Sequence, residues 1–232
     1  TNYRVETGQG RFVLTLFEER TDADVLPFCL GLTAHLARRG FPAATPMADR
    51  TGRWLGRLNG RDAALVEWKP GDWLRAPDIQ AQATAGATLA RLHVSGADFP
   101  EQRTNPLGPV AWRALAERCD HAAKGEDWRL LDRVKAALDR LGDPPRDLPS
   151  GPIHADFFPD NVLFEGERVS GVIDFYYGCT DALAYDLAIA LSAWGFDAEG
   201  EVQPHAIAAF RRGYESVRPL TRAETEALPL LG

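Results

Sequence analysis

Cysteine is scarce in this chain of 232 residues, positive charge is outnumbered by negative, and no long apolar run occurs. The cysteines (Cys29, Cys119 and Cys179) are odd in number, far apart and without metal-ligand spacing, a pattern of reduced or buried thiols in a cytoplasmic protein. With no stretch long enough to cross a bilayer and no signal-peptide pattern, neither a membrane protein nor a secreted one is indicated. A formal net charge of −7 argues against a general binder of nucleic acid or anionic membrane. Internal repeats and low-complexity segments are also missing. The chain has no initial methionine, opens on a strand pattern at Thr1-Asn2-Tyr3 and stops in the apolar run Leu228-Pro229-Leu230-Leu231-Gly232. Both ends are therefore expected to be cuts from a longer protein.

What is present divides in two. Val5 and the run Arg11-Phe12-Val13-Leu14-Thr15-Leu16-Phe17 flank Thr7-Gly8-Gln9-Gly10 and predict a hairpin. A helix is expected over 22–39, capped by Asp22 or Asp24 and closed by Arg38-Arg39-Gly40. A second hairpin turns at Asn59-Gly60, between strands over 54–58 and 63–68. Helical patterns then dominate: 79–93, 110–124 and 128–141, with Asp143-Pro144-Pro145 ending the last. A hairpin around Gly166 and Gly171 follows, then helices near 182–194 and 203–217. The expected architecture is α+β and two-lobed: an antiparallel-sheet lobe over 1–68, incomplete at its start, above a larger, mainly helical lobe over 69–232.

The chemistry is concentrated in Ile153-His154-Ala155-Asp156-Phe157-Phe158-Pro159-Asp160-Asn161, followed by Ile173-Asp174-Phe175. H-x-D-x-x-x-x-N, a short hairpin and then I-D-F supply what phosphoryl transfer needs: a carboxylate to orient and deprotonate a hydroxyl, and oxygen ligands that hold Mg²⁺ against phosphates. Asp156 has the first position; Asn161 and Asp174 have the second. A lone H-x-D would mean little, since aspartate is a common turn former, but the combination at hairpin separation is specific. Leu163 and Ile173 read as an apolar floor under an adenine. His154 reads as a buried histidine that hydrogen-bonds the backbone near Asp174 and holds the loop, because Asp156 already supplies the base.

These motifs, with Asp181-Ala182-Leu183-Ala184-Tyr185-Asp186-Leu187-Ala188 and the opening Phe12-Val13-Leu14-Thr15-Leu16-Phe17-Glu18, resemble the aminoglycoside phosphotransferase-like kinases. Within that group the chain is most similar to the bacterial homoserine kinases of the same fold, over essentially its whole length. The resemblance implies a protein-kinase-like fold, ATP and Mg²⁺ as cofactors, and L-homoserine as acceptor in threonine biosynthesis. It implies Asp156 as base and Asn161 and Asp174 as metal ligands. Val13 is expected above the adenine, Leu163 and Ile173 below it, and Glu67, Trp68 and Lys69 at the hinge that meets its edge. Asp186 is expected to brace the catalytic loop.

One feature of the pattern is missing. Kinases of this build carry a lysine on the third strand, paired with a glutamate on the next helix. Here Thr15 stands at the lysine position and 22–39 contains no glutamate. Losing both together avoids an unpaired buried charge. The resemblance to homoserine kinases implies that the threonine belongs to the lineage. Arg4, Arg11 and Arg20 are the candidate replacement cations, and a phosphate-covering loop is expected ahead of Thr1.

On the acceptor side, homoserine needs an anion for its ammonium and an arginine or helix N-terminus for its carboxylate. Tyr176, Tyr177 and Asp181 are the candidate contacts, with Asp181 the preferred ammonium partner; Asp197 is a further candidate, and Arg211 or Arg212 is a carboxylate partner. Trp194 reads as core. Trp68, Trp73, Tyr176, Tyr177 and Trp194 keep a choline-type aromatic cage open. An aminoglycoside or sugar acceptor is a further alternative, as is a silent nucleotide-binding regulator. Intact Asp156, Asn161 and Asp174 speak against the last.

Overall fold

The computed structural model describes residues 1–17, 25–120, 124–125, 127–142, 147–197 and 199–231. In chain order its elements are β1 (Asn2–Thr7), β2 (Gly10–Leu16), α1 (Val25–Arg38), β3 (Leu55–Leu58), β4 (Arg61–Glu67), β5 (Asp72–Trp73), α2 (Ile79–Gly96), α3 (Trp112–Asp120) and α4 (Asp127–Leu141). There follow β6 (Ser150–Ile153), β7 (Val162–Glu165), β8 (Arg168–Val172), β9 (Cys179–Ala182), α5 (Leu183–Trp194), α6 (Pro204–Val217) and α7 (Arg222–Leu231). Among the described residues no helix is long and apolar enough to cross a membrane.

The first four strands form one antiparallel sheet in the order β1-β2-β4-β3. Its outer hairpin turns where Asn59 and Gly60 both take left-handed dihedrals (φ 50° and 78°), the conformation a tight primed turn demands and asparagine-glycine supplies at low cost. Helix α1 is apolar on two sides and is buried on both. Leu26 and Leu30 pack with Phe17 and Ala64 against the sheet. Phe28, Cys29, Leu32 and Leu36 join the larger core with α2, α5 and α6. The expected caps Asp22 and Asp24 lie outside the described residues.

Helices α2 and α6 cross so closely that glycine is required at the contact. A Cβ on Gly86 would run into the carbonyl oxygen of Phe210, and one on Gly213 into that of Ala83. Gly86→Ala is expected to destabilise the protein by about 1–3 kcal/mol, because the opposing atoms are backbone and cannot turn aside. A urea unfolding curve checks this; an unchanged midpoint would show that the helices separate freely.

The structure adds elements that the sequence pattern did not suggest. Residues 150–153, for which the sequence pattern suggests no element, form β6 and pair antiparallel with β9, Ile153 opposite Cys179. Each strand is four residues long and has no alternation; what makes them strands is the other, brought back by the β7–β8 hairpin. Pro152 is tolerated because β6 pairs with β9 alone and is an edge strand. Helix α3 begins at Trp112 rather than 110, because Ala111 and Trp112 donate to Gly108 and Pro109 in a tighter turn. The expected continuation over 121–123 and the stop at Asp143-Pro144-Pro145 fall outside the described residues. Helix α7 was not anticipated, although Thr221-Arg222-Ala223-Glu224 is a capping box: Glu224 N donates to Thr221 Oγ1 (3.1 Å), and Thr221 N to Glu224 Oε2 (2.9 Å).

Candidate active site

Strand β6 delivers His154 into the core, and the next residues leave regular structure abruptly. Ala155 has φ 61°, an uncommon and strained conformation for alanine. It is held by Asp186 on α5, fully buried, whose two oxygens accept from His154 N (2.9 Å) and Ala155 N (2.8 Å). His93 of α2 binds the same carboxylate through Nε2 at 2.9 Å. Burial alone would raise this carboxyl; the hydrogen bonds from His93 and the loop amide hold it below the ordinary carboxylate range. A polar chain continues outward. Arg218 donates to the Tyr214 oxygen (3.1 Å), so the phenol proton faces His93 Nδ1 (2.8 Å) and the histidine's own proton faces Asp186.

His154 is fully buried as well. Its Nδ1 accepts from Asp156 N (3.2 Å), so Nε2 carries the proton and donates to the carbonyl of Ile173 (3.0 Å). Burial pushes its pKa down, and one neutral ring joins the loop to the residue before Asp174. Trp194 lies in the core and donates from Nε1 to Phe157 O at 2.7 Å, fixing the far side of the loop.

Asp156 therefore projects from a backbone held on both sides. Asn161, at the end of a single helical turn (Pro159–Asn161), donates from Nδ2 to Asp156 O (2.9 Å) and Oδ2 (3.0 Å). Both amide hydrogens are thus committed and Oδ1 remains as an acceptor. Asp174 follows β8 in a left-handed conformation (φ 62°), tolerated by aspartate, and its carboxylate does not cap the turn that it precedes. Burial raises the pKa of Asp156, the charge of Asp174 raises it further, and the hydrogen bond from Asn161 opposes both. Asn161 Oδ1 and the Asp174 carboxylate form an all-oxygen donor set, suited to a hard divalent cation that keeps waters and phosphate oxygens in its shell. Among the described residues no cluster of three or more His, Cys, Asp or Glu side chains offers a complete protein-only metal cage.

Beside Asp174 opens a cleft of about 360 Å³ between the four-stranded sheet and β7–β8. All six residues expected around an adenine line it: Val13, Glu67, Trp68, Lys69, Leu163 and Ile173. Thr15 lines it too and donates from Oγ1 to Asn2 Oδ1 at 2.8 Å. Lys69 is the basic residue of this wall, and it is paired with Glu67 at 3.0 Å. Arg4 faces outward beside Glu6, Arg11 is exposed, neither lines the cleft, and Arg20 lies outside the described residues.

A model of the phosphotransferase enzyme family matches residues 1–220. The chain belongs to that family. It is 46% identical over its full 232 residues to a homoserine kinase of Brucella ovis and 44% identical to one of Rhizobium rhizogenes, spanning 71% and 72% of those proteins. Among solved structures, the amicoumacin kinase hAmiN in complex with AMP-PNP, Ca²⁺ and Ami superimposes with a TM-score of 0.80 at 16% identity, covering 99% of this chain and 74% of that one. An aminoglycoside-3'-phosphotransferase of type VIII gives 0.69 at 21% identity, covering 99% and 87%. These likenesses establish the α+β, protein-kinase-like fold expected from the motifs, and the family establishes the protein as a phosphotransferase.

In this family member the expected acceptor contacts are dispersed. Tyr177 lines a small pocket of about 170 Å³ that also holds Asp156. Tyr176 instead turns into the larger cleft and packs edge-on against Phe17, with ring centroids 5.0 Å apart. Asp181 lines a different hollow of about 630 Å³ that contains none of Asp156, Asn161 and Asp174. Its oxygens accept from Asn105 Nδ2 and Ala182 N, both at 2.7 Å. Asp197 organises an exposed turn, and Arg211 pairs with Glu215 along α6. The sequence pattern did not single out Arg103, Asn105 and Tyr185, which share the pocket with Asp156. Nothing local marks them, because the pocket exists only once residues 103–107 lie across β9. Cys29 and Cys179 are buried and their thiols are pushed up to about 12, while Cys119 is exposed.

Proposed function

We propose that this phosphotransferase moves the γ-phosphoryl group of ATP to the side-chain hydroxyl of L-homoserine, with Mg²⁺ as the metal, in the cytoplasm. The observation that carries the reading is the convergence of Asp156, Asn161 and Asp174 beside a cleft lined by Val13, Leu163 and Ile173. Residues 1–68 act as the lobe that covers the nucleotide; residues 69–232 carry the catalytic loop and the acceptor. The adenine lies between Val13 and the pair Leu163–Ile173, with its edge at Glu67–Lys69. Asn161 and Asp174 would hold the metal, which would supply neutralisation of phosphate charge there. Asp156 accepts the hydroxyl proton as the acceptor oxygen bonds to phosphorus and the bond to the leaving ADP oxygen breaks. His154 and Asp186 keep that carboxylate in place. Homoserine is favoured by the named relatives and by the modest pocket at Asp156, about 170 Å³ against the ~300–1,000 Å³ of drug-sized ligand sites.

The test is ADP release with ATP and Mg²⁺ in the presence of L-homoserine, L-serine, L-threonine, choline or kanamycin. Release with L-homoserine well above the others is expected. Release with choline or kanamycin instead would overturn the acceptor while keeping the chemistry, and ATP binding without release in any arm would revive the silent regulator.

A further inference from the structure

The pocket beside Asp156 is lined by a single cation and a single anion, Arg103 and Asp156. Under the proposed kinase reaction, Asp156 is committed to the acceptor hydroxyl. Resting on that reaction, we infer that Arg103 is the anchor for the acceptor's carboxylate, and that it makes the enzyme select hydroxy amino acids over amino alcohols.

The side chain is built to stay in place. Residues 103 and 180 are tied by two bonds: Thr180 N donates to Arg103 O (2.7 Å), and Arg103 N donates to Thr180 Oγ1 (3.2 Å). The guanidinium donates from Nη1 to Gly178 O at 2.7 Å, which orients its plane. Arginine has five N–H donors, so most remain for a ligand. Among the described residues no carboxylate lies within ion-pair distance of it. A half-buried, oriented and uncompensated guanidinium on a pocket wall suits a planar anion, and carboxylate is the anion that accepts two parallel N–H bonds. Asn105, the other polar group of that segment, carries no charge, and its amide is already engaged, Nδ2 with Asp181 and Oδ1 with Leu107 N (2.9 Å). Arg211 belongs to a pair on α6 and does not line the pocket.

The experiment compares L-homoserine with 3-aminopropan-1-ol, the same molecule without its carboxylate, in the wild-type enzyme and in Arg103→Met and Arg103→Lys. The wild type should prefer L-homoserine strongly in kcat/KM. In Arg103→Met the KM for L-homoserine should rise about 100-fold, the scale for losing one partner of a desolvated charge pair, with kcat and the KM for ATP moving far less. The preference between the two acceptors should fall towards one. Arg103→Lys, which keeps the charge without the fork, should retain part of the preference and serves as the folded comparison if the methionine variant is insoluble. A purely structural role, through the bond to Gly178, would reduce both acceptors alike, and that result overturns the inference. So does a wild type that uses both acceptors equally, which would leave the kinase reading intact. A wild type that phosphorylates neither, but does phosphorylate choline or kanamycin, removes the homoserine reading itself.

Discussion

Asp156→Asn is expected to lower kcat roughly 100- to 10,000-fold, the range for removing a positioned general base, and to leave the KM for ATP within a few-fold. The two halves of this expectation come from different parts of the site. The carboxylate belongs to the small pocket with Tyr177 and Arg103, whereas the proposed nucleotide contacts lie in the neighbouring cleft. Asparagine keeps the size of the side chain, so any loss reports on the missing base and charge. The pH profile adds an independent reading. Burial and the charge of Asp174 hold the Asp156 pKa above the ordinary carboxylate range. Only the ionised form accepts a proton, so activity should fall on acidification, and that limb should vanish in Asp156→Asn. Turnover left unchanged by the substitution would remove Asp156 from the base role.

The proximity of Asp156, Asn161 and Asp174 was legible because its information is local. His154, Asp156 and Asn161 lie within one loop, and Asp174 sits one hairpin away, so spacing alone places them near one another. The Asn59-Gly60 turn was legible for the same reason, and the capping box at Thr221 could have been read. What could not be read depends on partners far along the chain. His93 looks like the last polar residue of an alanine-rich helix, yet it binds Asp186, 93 residues on, and Tyr214, 121 residues on. The β6–β9 ribbon has no periodicity of its own. Tyr176 and Tyr177 are adjacent in sequence but face different hollows, because the helical turn that carries them rotates successive side chains apart.

Asp186→Ala is expected to cost about 3–5 kcal/mol of stability, the scale for leaving three buried donors without an acceptor at about 1–3 kcal/mol each. The carboxylate is fully buried and accepts from three donors, His93 Nε2, His154 N and Ala155 N. Alanine leaves all three without a partner and without access to water, and a buried orphaned donor is costly in its own right. The loss falls on the backbone that holds Ala155 in its left-handed conformation, so the loop would relax and carry Asp156 with it. Activity should therefore drop along with stability, although Asp186 touches no reactant. For a chain of this size the unfolding midpoint should fall by roughly 6–20 °C. The pH dependence has a fixed sign. The Asp186 pKa is lowered in the folded protein, so its contribution is present above the pKa of an unfolded aspartate and is lost as pH falls through the lower folded value. The wild type should lose stability on acidification below about pH 4, and Asp186→Ala should lose less over the same interval. Unfolding midpoints at neutral and acidic pH for both proteins check this, and parallel acid losses would show that other carboxylates dominate.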